Sequence, residues 1–167
     1  GTAWVFTNAA GASYNKTGAG TTRFFIPLVN SGALALGAGT LQIHGGATFN
    51  HGSSQTGLGL LQLSGGTLTA NGTISLANFN MAGGTINGTH TLNGALSWTA
   101  GTLNNTGNTT IGAAGVLTVS STNDHDMNQH VVINDGAIKW TGGRIRGGTG
   151  ATLTNNAAFN DTASNVV

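Results

Sequence analysis

The chain has 167 residues, enough to bury a real core in one compact or one elongated domain. Only 5% are Asp, Glu, Lys or Arg and the net charge is +1, which removes the electrostatic case for nucleic acid or an anionic membrane as partner. The absence of cysteine excludes disulfide scaffolding and thiol chemistry, and no apolar run approaches the roughly 20 residues of a membrane-spanning helix. No basic-then-apolar leader opens the segment, so any export signal is expected to lie outside it.

The chain enters on "TAWVF", an apolar strand pattern. A ten-residue core then begins at Gly32: Gly-x-[Leu/Ile]-x-[Leu/Trp]-x-x-Gly-x-[Leu/Ile]. It returns at Gly59, Gly94 and Gly136. The first and last starts are separated by close to five turns of about 21 residues. The step from Gly32 to Gly59 is longer than one turn, so "HGSSQTG", His51 to Gly57, reads as an insertion.

From Gly94 the sequence aligns as three lines of about 21 residues, starting at Gly94, Gly115 and Gly136. Their third column holds Leu96, Leu117 and Ile138; the fifth, Trp98, Val119 and Trp140; the eighteenth, Ile111, Val132 and Leu153. Aliphatics that recur at a fixed step are the mark of a solenoid. Within each line the apolar residues alternate at the period of a strand, and Gly, Asn and Ser fall where turns are needed. The expectation is an all-β protein: a single-stranded parallel β-helix of about 21 residues per coil and roughly eight coils, one module over residues 1–167. At about 4.8 Å per coil the rod is roughly 38 Å long. Val, Ile, Leu, Phe and Trp are expected inside, and Thr, Asn and Ser outside.

The stretch Phe6 to Phe49 resembles modules of very long bacterial secreted or surface proteins built from β-strand repeats. The likeness rests on "K-x-G-x-G-T-T", matched by Lys16, Gly18, Gly20, Thr21 and Thr22, and on "N-x-G-x-L-x-L-x-x-G-T-L". Asn30, Gly32, Leu34, Leu36, Gly39, Thr40 and Leu41 match the latter. "GGTLTANGTISL" and "IKWTGGRIRGGTGATLTNNAAFN" extend the likeness over nearly the whole chain. The resemblance implies an extracellular or cell-surface solenoid in an adhesin-like or stalk-like polymer, with no enzyme, cofactor or catalytic residue to carry over.

The densest polar cluster is "NDHDMNQH", Asn123 to His130. Alternation would set Asp124, Asp126, Asn128 and His130 on one face, a possible divalent-metal set. The cluster also falls where the repeat slips, with Asp124 in the column of Leu103 and Ile145. A polar bulge with Met127 in the core and the acids in water is the simpler expectation, and no metal or cofactor is expected.

Catalysis on polysaccharide would need paired carboxylates. Only Asp124 and Asp126 are close in sequence, with Arg144, Arg146 and Lys139 one coil away; solvated charges are the simpler account. Trp4, Trp98 and Trp140 raise sugar stacking, but Trp98 and Trp140 share a column with Val119 and Leu36, which argues for the core. Thr-x-Thr pairs (Thr67/Thr69, Thr89/Thr91, Thr152/Thr154) do not recur in one column and read as ordinary solvent-facing strand residues.

The expected function is structural. The chain is read as a subunit or repeat stacking end to end into a filament, stalk or adhesin rod, its partners being copies of itself, adjacent repeats or surface polysaccharide. The alternative is a carbohydrate-binding or polysaccharide-cleaving β-helix. Neither terminus carries a recognisable cap, and "AAFNDTASNVV" followed by "GTAWVFTNAAG" reads as unbroken pattern.

Overall fold

A computed structural model describes residues 4–164 as an all-β solenoid of about eight turns, with successive turns about 20 residues apart. The junction between the two ends of the sequence falls on residues 1–3 and 165–167, outside the described residues.

Each early coil is three short strands separated by corners. The first coil is β1 (Phe6–Asn8), β2 (Ser13–Lys16) and β3 (Thr21–Phe24). The second is β4 (Leu28–Asn30), β5 (Ala33–Leu36) and β6 (Thr40–Ile43), and the third β7 (Ala47–Phe49), β8 (Ser54–Thr56) and β9 (Leu60–Leu63). After β10 (Thr67–Ala70) the pairing runs through the corners, giving β11 (Gly72–Asn87), β12 (His90–Val119) and β13 (Asp124–Asn134). The rod closes with β14 (Ala137–Trp140), β15 (Arg144–Gly147), β16 (Thr152–Asn155) and β17 (Ala158–Asp161).

Every pairing is parallel and joins one coil to the next, so three sheet faces enclose one core. On the first face the register runs Phe6, Leu28, Ala47, Leu68, Ile86, Leu103, Met127, Gly147. The second face carries Tyr14, Leu34, Gln55 and Leu76. The third carries Leu41, Leu61, Phe79 and Leu96, and later Leu117, Ile138 and Phe159. From Leu28 to Ile138 these inward aliphatics are almost wholly removed from water. At about 25 cal/mol per Å² of apolar area, that burial is the main stabilising term.

Glycine sets the corner between the third and first faces. Gly46, Gly66, Gly84 and Gly101 stack there with φ of 83°, 68°, 72° and 92°. A Cβ on Gly66 would come within 2.5 Å of the Gly46 nitrogen, and one on Gly84 within 2.5 Å of the Gly66 oxygen. Only glycine combines that backbone conformation with so close an approach between coils.

Several expectations need correction. "HGSSQTG" is not an insertion: Ser54–Thr56 is β8, a full rung between β5 and the start of β11. Its Gln55 is buried in the column of Leu34 and Leu76. The amide is satisfied there, donating to the Gly59 carbonyl (3.1 Å) and accepting from the Asn78 N–H (2.8 Å). The Gly32 motif lies one face ahead of the others, because Leu34 and Leu36 stand on the second face while Leu61, Leu96 and Ile138 stand on the third. Leu36, paired with Lys16, therefore does not share the tryptophan column.

Of the three proposed core columns, the register pairs Leu117 with Ile138 and Val119 with Trp140; Leu96 and Trp98 are buried on the same face. The third column breaks. Val132 pairs with Leu153, but Ile111 stands opposite Asn134, and Thr109 opposite Val132. The equal steps from Leu96 to Leu117 to Ile138 conceal unequal corners: the chain goes from Trp98 to Leu103 in one coil and from Val119 to Met127 in the next.

Candidate functional site

The polar cluster Asn123 to His130 begins β13 on the first face. Alternation holds through Met127: Asp124 and Asp126 point out, while His125 and Met127 are buried. It fails at Gln129, whose φ of 55° turns the chain through a corner and sends His130 inward. The four candidate ligands are thus divided between two environments. Asp124 does not occupy the column of Leu103 and Ile145; it pairs with Arg144, while His125 stands opposite Ile145 and Met127 opposite Leu103. Among the described residues no three His, Cys, Asp or Glu side chains converge into a metal-binding group.

Outside, the carboxylates meet arginines of the next coil. Arg144 donates to both oxygens of Asp124 (2.6 and 2.8 Å), Arg146 to both oxygens of Asp126 (2.6 and 2.8 Å), and Arg146 Nη1 also reaches Asp124 (2.8 Å). The hydrogen bonds from Arg144 and Arg146 hold Asp124 and Asp126 respectively below the usual carboxylate range. Both carboxylates are therefore ionised and engaged two-handed. A glycosidase acid needs the opposite, a carboxyl kept protonated near neutral pH.

Inside, the histidines build hydrogen bonds across coils. His125 Nε2 lies 2.9 Å from the Trp98 carbonyl and 3.0 Å from that of Ser120, so this nitrogen carries the proton. Its ring stands edge-on to Trp98, with centroids 5.1 Å apart. The Thr109 hydroxyl bridges His90 Nε2 and His130 Nε2, each at 2.9 Å. One proton arrangement satisfies the three bonds of that bridge and leaves the buried His90 Nδ1 without a partner. His130 Nδ1 faces the Asn105 carbonyl at 3.2 Å and must donate, which leaves its Nε2 as acceptor for the Thr109 O–H. The Thr109 oxygen then accepts from His90 Nε2–H. Burial, and next the neighbouring His130, lower the His90 pKa from 6.5 to about 4. Burial lowers that of His130 as well. Both rings are neutral structural elements of the core.

The Trp98–Trp140 column is not an exposed sugar platform. Trp98 is buried and donates its indole N–H to the Gly101 carbonyl (3.1 Å); Trp140 is half-buried and donates to Gly142 and Gly143 (3.1 Å each). Trp4, on the first coil, is exposed.

The exposed aromatic that sequence reading passed over is Phe25, 70% accessible at the corner after β3, with Ile26 beside it. The His44 ring of the next coil stacks on Phe25, with centroids 4.7 Å apart and planes 19° from parallel. His44 Nε2–H donates to Gln42 Oε1 (3.1 Å), which also accepts from Arg23 (3.0 Å), and Gln42 donates on to Gln62 (2.7 Å). The signal was present in "RFFIPLV", where one phenylalanine too many interrupts strand alternation.

Neither the family models, the curated proteins nor the solved structures yielded a match to this chain.

Proposed function

We propose that this chain is a structural element of an extracellular or cell-surface rod, extended by stacking coil upon coil, either on copies of itself or on further coils of a longer adhesin-like protein. The observation that supports this reading is the state of the two end coils. Among the described residues, β1, β2 and β3 pair only with the second coil, and β15, β16 and β17 only with the seventh. Their outer edges offer rows of backbone donors and acceptors, a template for further strands. The inward residues there are only partly covered: Phe6, Tyr14 and Phe24 at one end, Ile145, Leu153 and Phe159 at the other.

Phe6, Tyr14 and Phe24 come one from each face and meet edge to face, with centroids 5.2 to 5.8 Å apart. Three rings thus close the core at that end while leaving an apolar surface on which another coil can pack. The motif likeness to bacterial strand-repeat proteins and the nearly charge-free Thr/Asn/Ser surface support placement outside the cell.

Sedimentation velocity and electron microscopy test the reading. End-to-end particles that lengthen with concentration are expected, and Phe159→Asp, which charges one end, is expected to stop them. A chain that stays monomeric at high concentration, in a gene encoding no adjoining coils, rejects the proposal.

A further inference from the structure

The outer surface of the first face carries two columns that the sequence reading did not register. One runs Val29, Thr48, Thr69, Asn87 down successive coils. The other runs Thr67, Thr85, Thr102. Threonine therefore does recur column on column, across coils rather than in fixed Thr-x-Thr pairs. Hydroxyls and amides repeat about every 4.8 Å along the rod and about 6.7 Å across it. Among the described residues no ionisable side chain enters either column before Asp126, opposite Thr102.

This strip begins at the Phe25 corner. A shallow cleft of about 360 Å³, lined by Pro27, Val29, Thr48, Thr67, Thr69 and the Gly45–Gly46 backbone, opens beside it. The absence of side chains at Gly45 and Gly46 leaves the floor bare, and a Cβ on Gly45 would strike the Phe25 and Ile26 backbone. Phe25 is exposed yet braced: His44 covers one ring face, and Gln42, which also accepts from Arg23, holds the histidine.

We propose that this surface binds a neutral, linear polysaccharide along the rod. Phe25 is the stacking platform, His44 its positioning residue, and the hydroxyls of Thr48, Thr67 and Thr69 the hydrogen-bonding track. The chemistry matches group by group. A pyranose ring offers an apolar C–H face to an aromatic side chain and a rim of hydroxyls to the threonines, while an uncharged polymer meets columns free of ionisable groups. A nucleic acid would need a run of cations, and the threonine columns carry none, the single Arg23 beside the platform being engaged by Gln42. A protein partner would need apolar anchors, and the exposed apolar groups Phe25 and Ile26 stand at the corner, while the threonine track beyond it is polar. This inference does not depend on the rod-assembly reading, since the strip lies on the side of the solenoid and not at its ends.

Affinity electrophoresis of the 167-residue chain through gels containing pullulan, amylose or mixed-linkage β-glucan, with alginate as the charged comparison, tests it. Retardation by at least one neutral polymer, insensitive to salt, is expected. Phe25→Ala should weaken that binding about tenfold. Thr69→Val, which keeps the shape and removes one hydroxyl, should weaken it by a smaller factor. Both positions are solvent-facing, so an unchanged melting temperature certifies the variants. Unaltered migration on all three neutral polymers, binding confined to alginate, or equal binding by Phe25→Ala would each overturn the proposal. So would a fall in sedimentation coefficient caused by Phe25→Ala alone, which would make the corner a seat for a second copy.

Discussion

The first three coils and the fourth to seventh solve the same packing problem differently. In the early coils, strands of three or four residues meet at sharp corners, and the mainly leucine, isoleucine and phenylalanine columns share the interior with buried Asn8, Lys16, Asn30, Ser53 and Gln55. In the middle coils the chain pairs continuously through its corners, producing β11 and β12 at 16 and 30 residues. There the core admits His90, Thr109, His125 and His130, all buried. The coils also change length: the step from Ile86 to Leu103 is short, and that from Leu103 to Met127 long. A solenoid tolerates this because each coil answers only to its neighbours. A change in corner length is absorbed locally, provided the inward positions are refilled and most buried polar atoms find partners; His90 Nδ1 and His125 Nδ1 are among the few left without one.

The largest effect should come from charging the core of either region. Leu117→Asp places a carboxylate opposite Ile138 with no partner, and should cost several kcal/mol in a urea melt. A variant that melts like the parent would show that the column is not packed as described.

A second contrast is between corners. Gly66→Ala, with φ 68° and backbone 2.5 Å from the added Cβ, should cost about 1–3 kcal/mol. Gly18→Ala, whose Cβ would meet nothing within 4 Å, should stay within about 0.5 kcal/mol of the parent. Equal losses at the two sites would dissolve the distinction between stacked and free corners.

The third prediction separates the regions by pH. His90 has a folded pKa of about 4 against 6.5 unfolded, so between those values the unfolded chain binds a proton that the folded chain refuses. Stability should therefore be full above pH 6.5 and fall as pH drops toward 4, by on the order of 3 kcal/mol. The titratable group facing His90 is His130, lowered in the same direction; Asp124, Asp126, Arg144 and Arg146 point outward. Urea midpoints at pH 7 and pH 4 measure the slope. His90→Gln should flatten it while lowering stability at pH 7. A parent whose midpoint does not move over this range would exclude the neutral, bridged arrangement.

Much of this architecture is readable without coordinates. Alternation of apolar residues, with glycine and asparagine between, dictates short strands. Recurrence of Leu96, Leu117 and Ile138 at one step dictates that those strands stack in parallel. The outward turn of Asp124 and Asp126 and the inward turn of Met127 follow from the same alternation. The phase of each motif is less legible. "GALALGAGTL" at Gly32 and "GAIKWTGGRI" at Gly136 look alike, yet occupy different faces, because a strand-corner-strand unit fits any corner of a three-sided coil.

The composition and period of the sequence settle that this is a charge-poor parallel solenoid with an aliphatic interior, since only coil-on-coil pairing satisfies both the strand pattern and the repeat. Which residues stand above one another is a tertiary decision, because each corner length is set by local backbone conformation, such as Gln129 and the stacked glycines in the left-handed region. A shift of one residue there reverses every side chain that follows. That choice puts His130 in the core, closes the His90–Thr109–His130 bridge, aligns threonines that are not evenly spaced in sequence, and leaves Phe25 in water against His44.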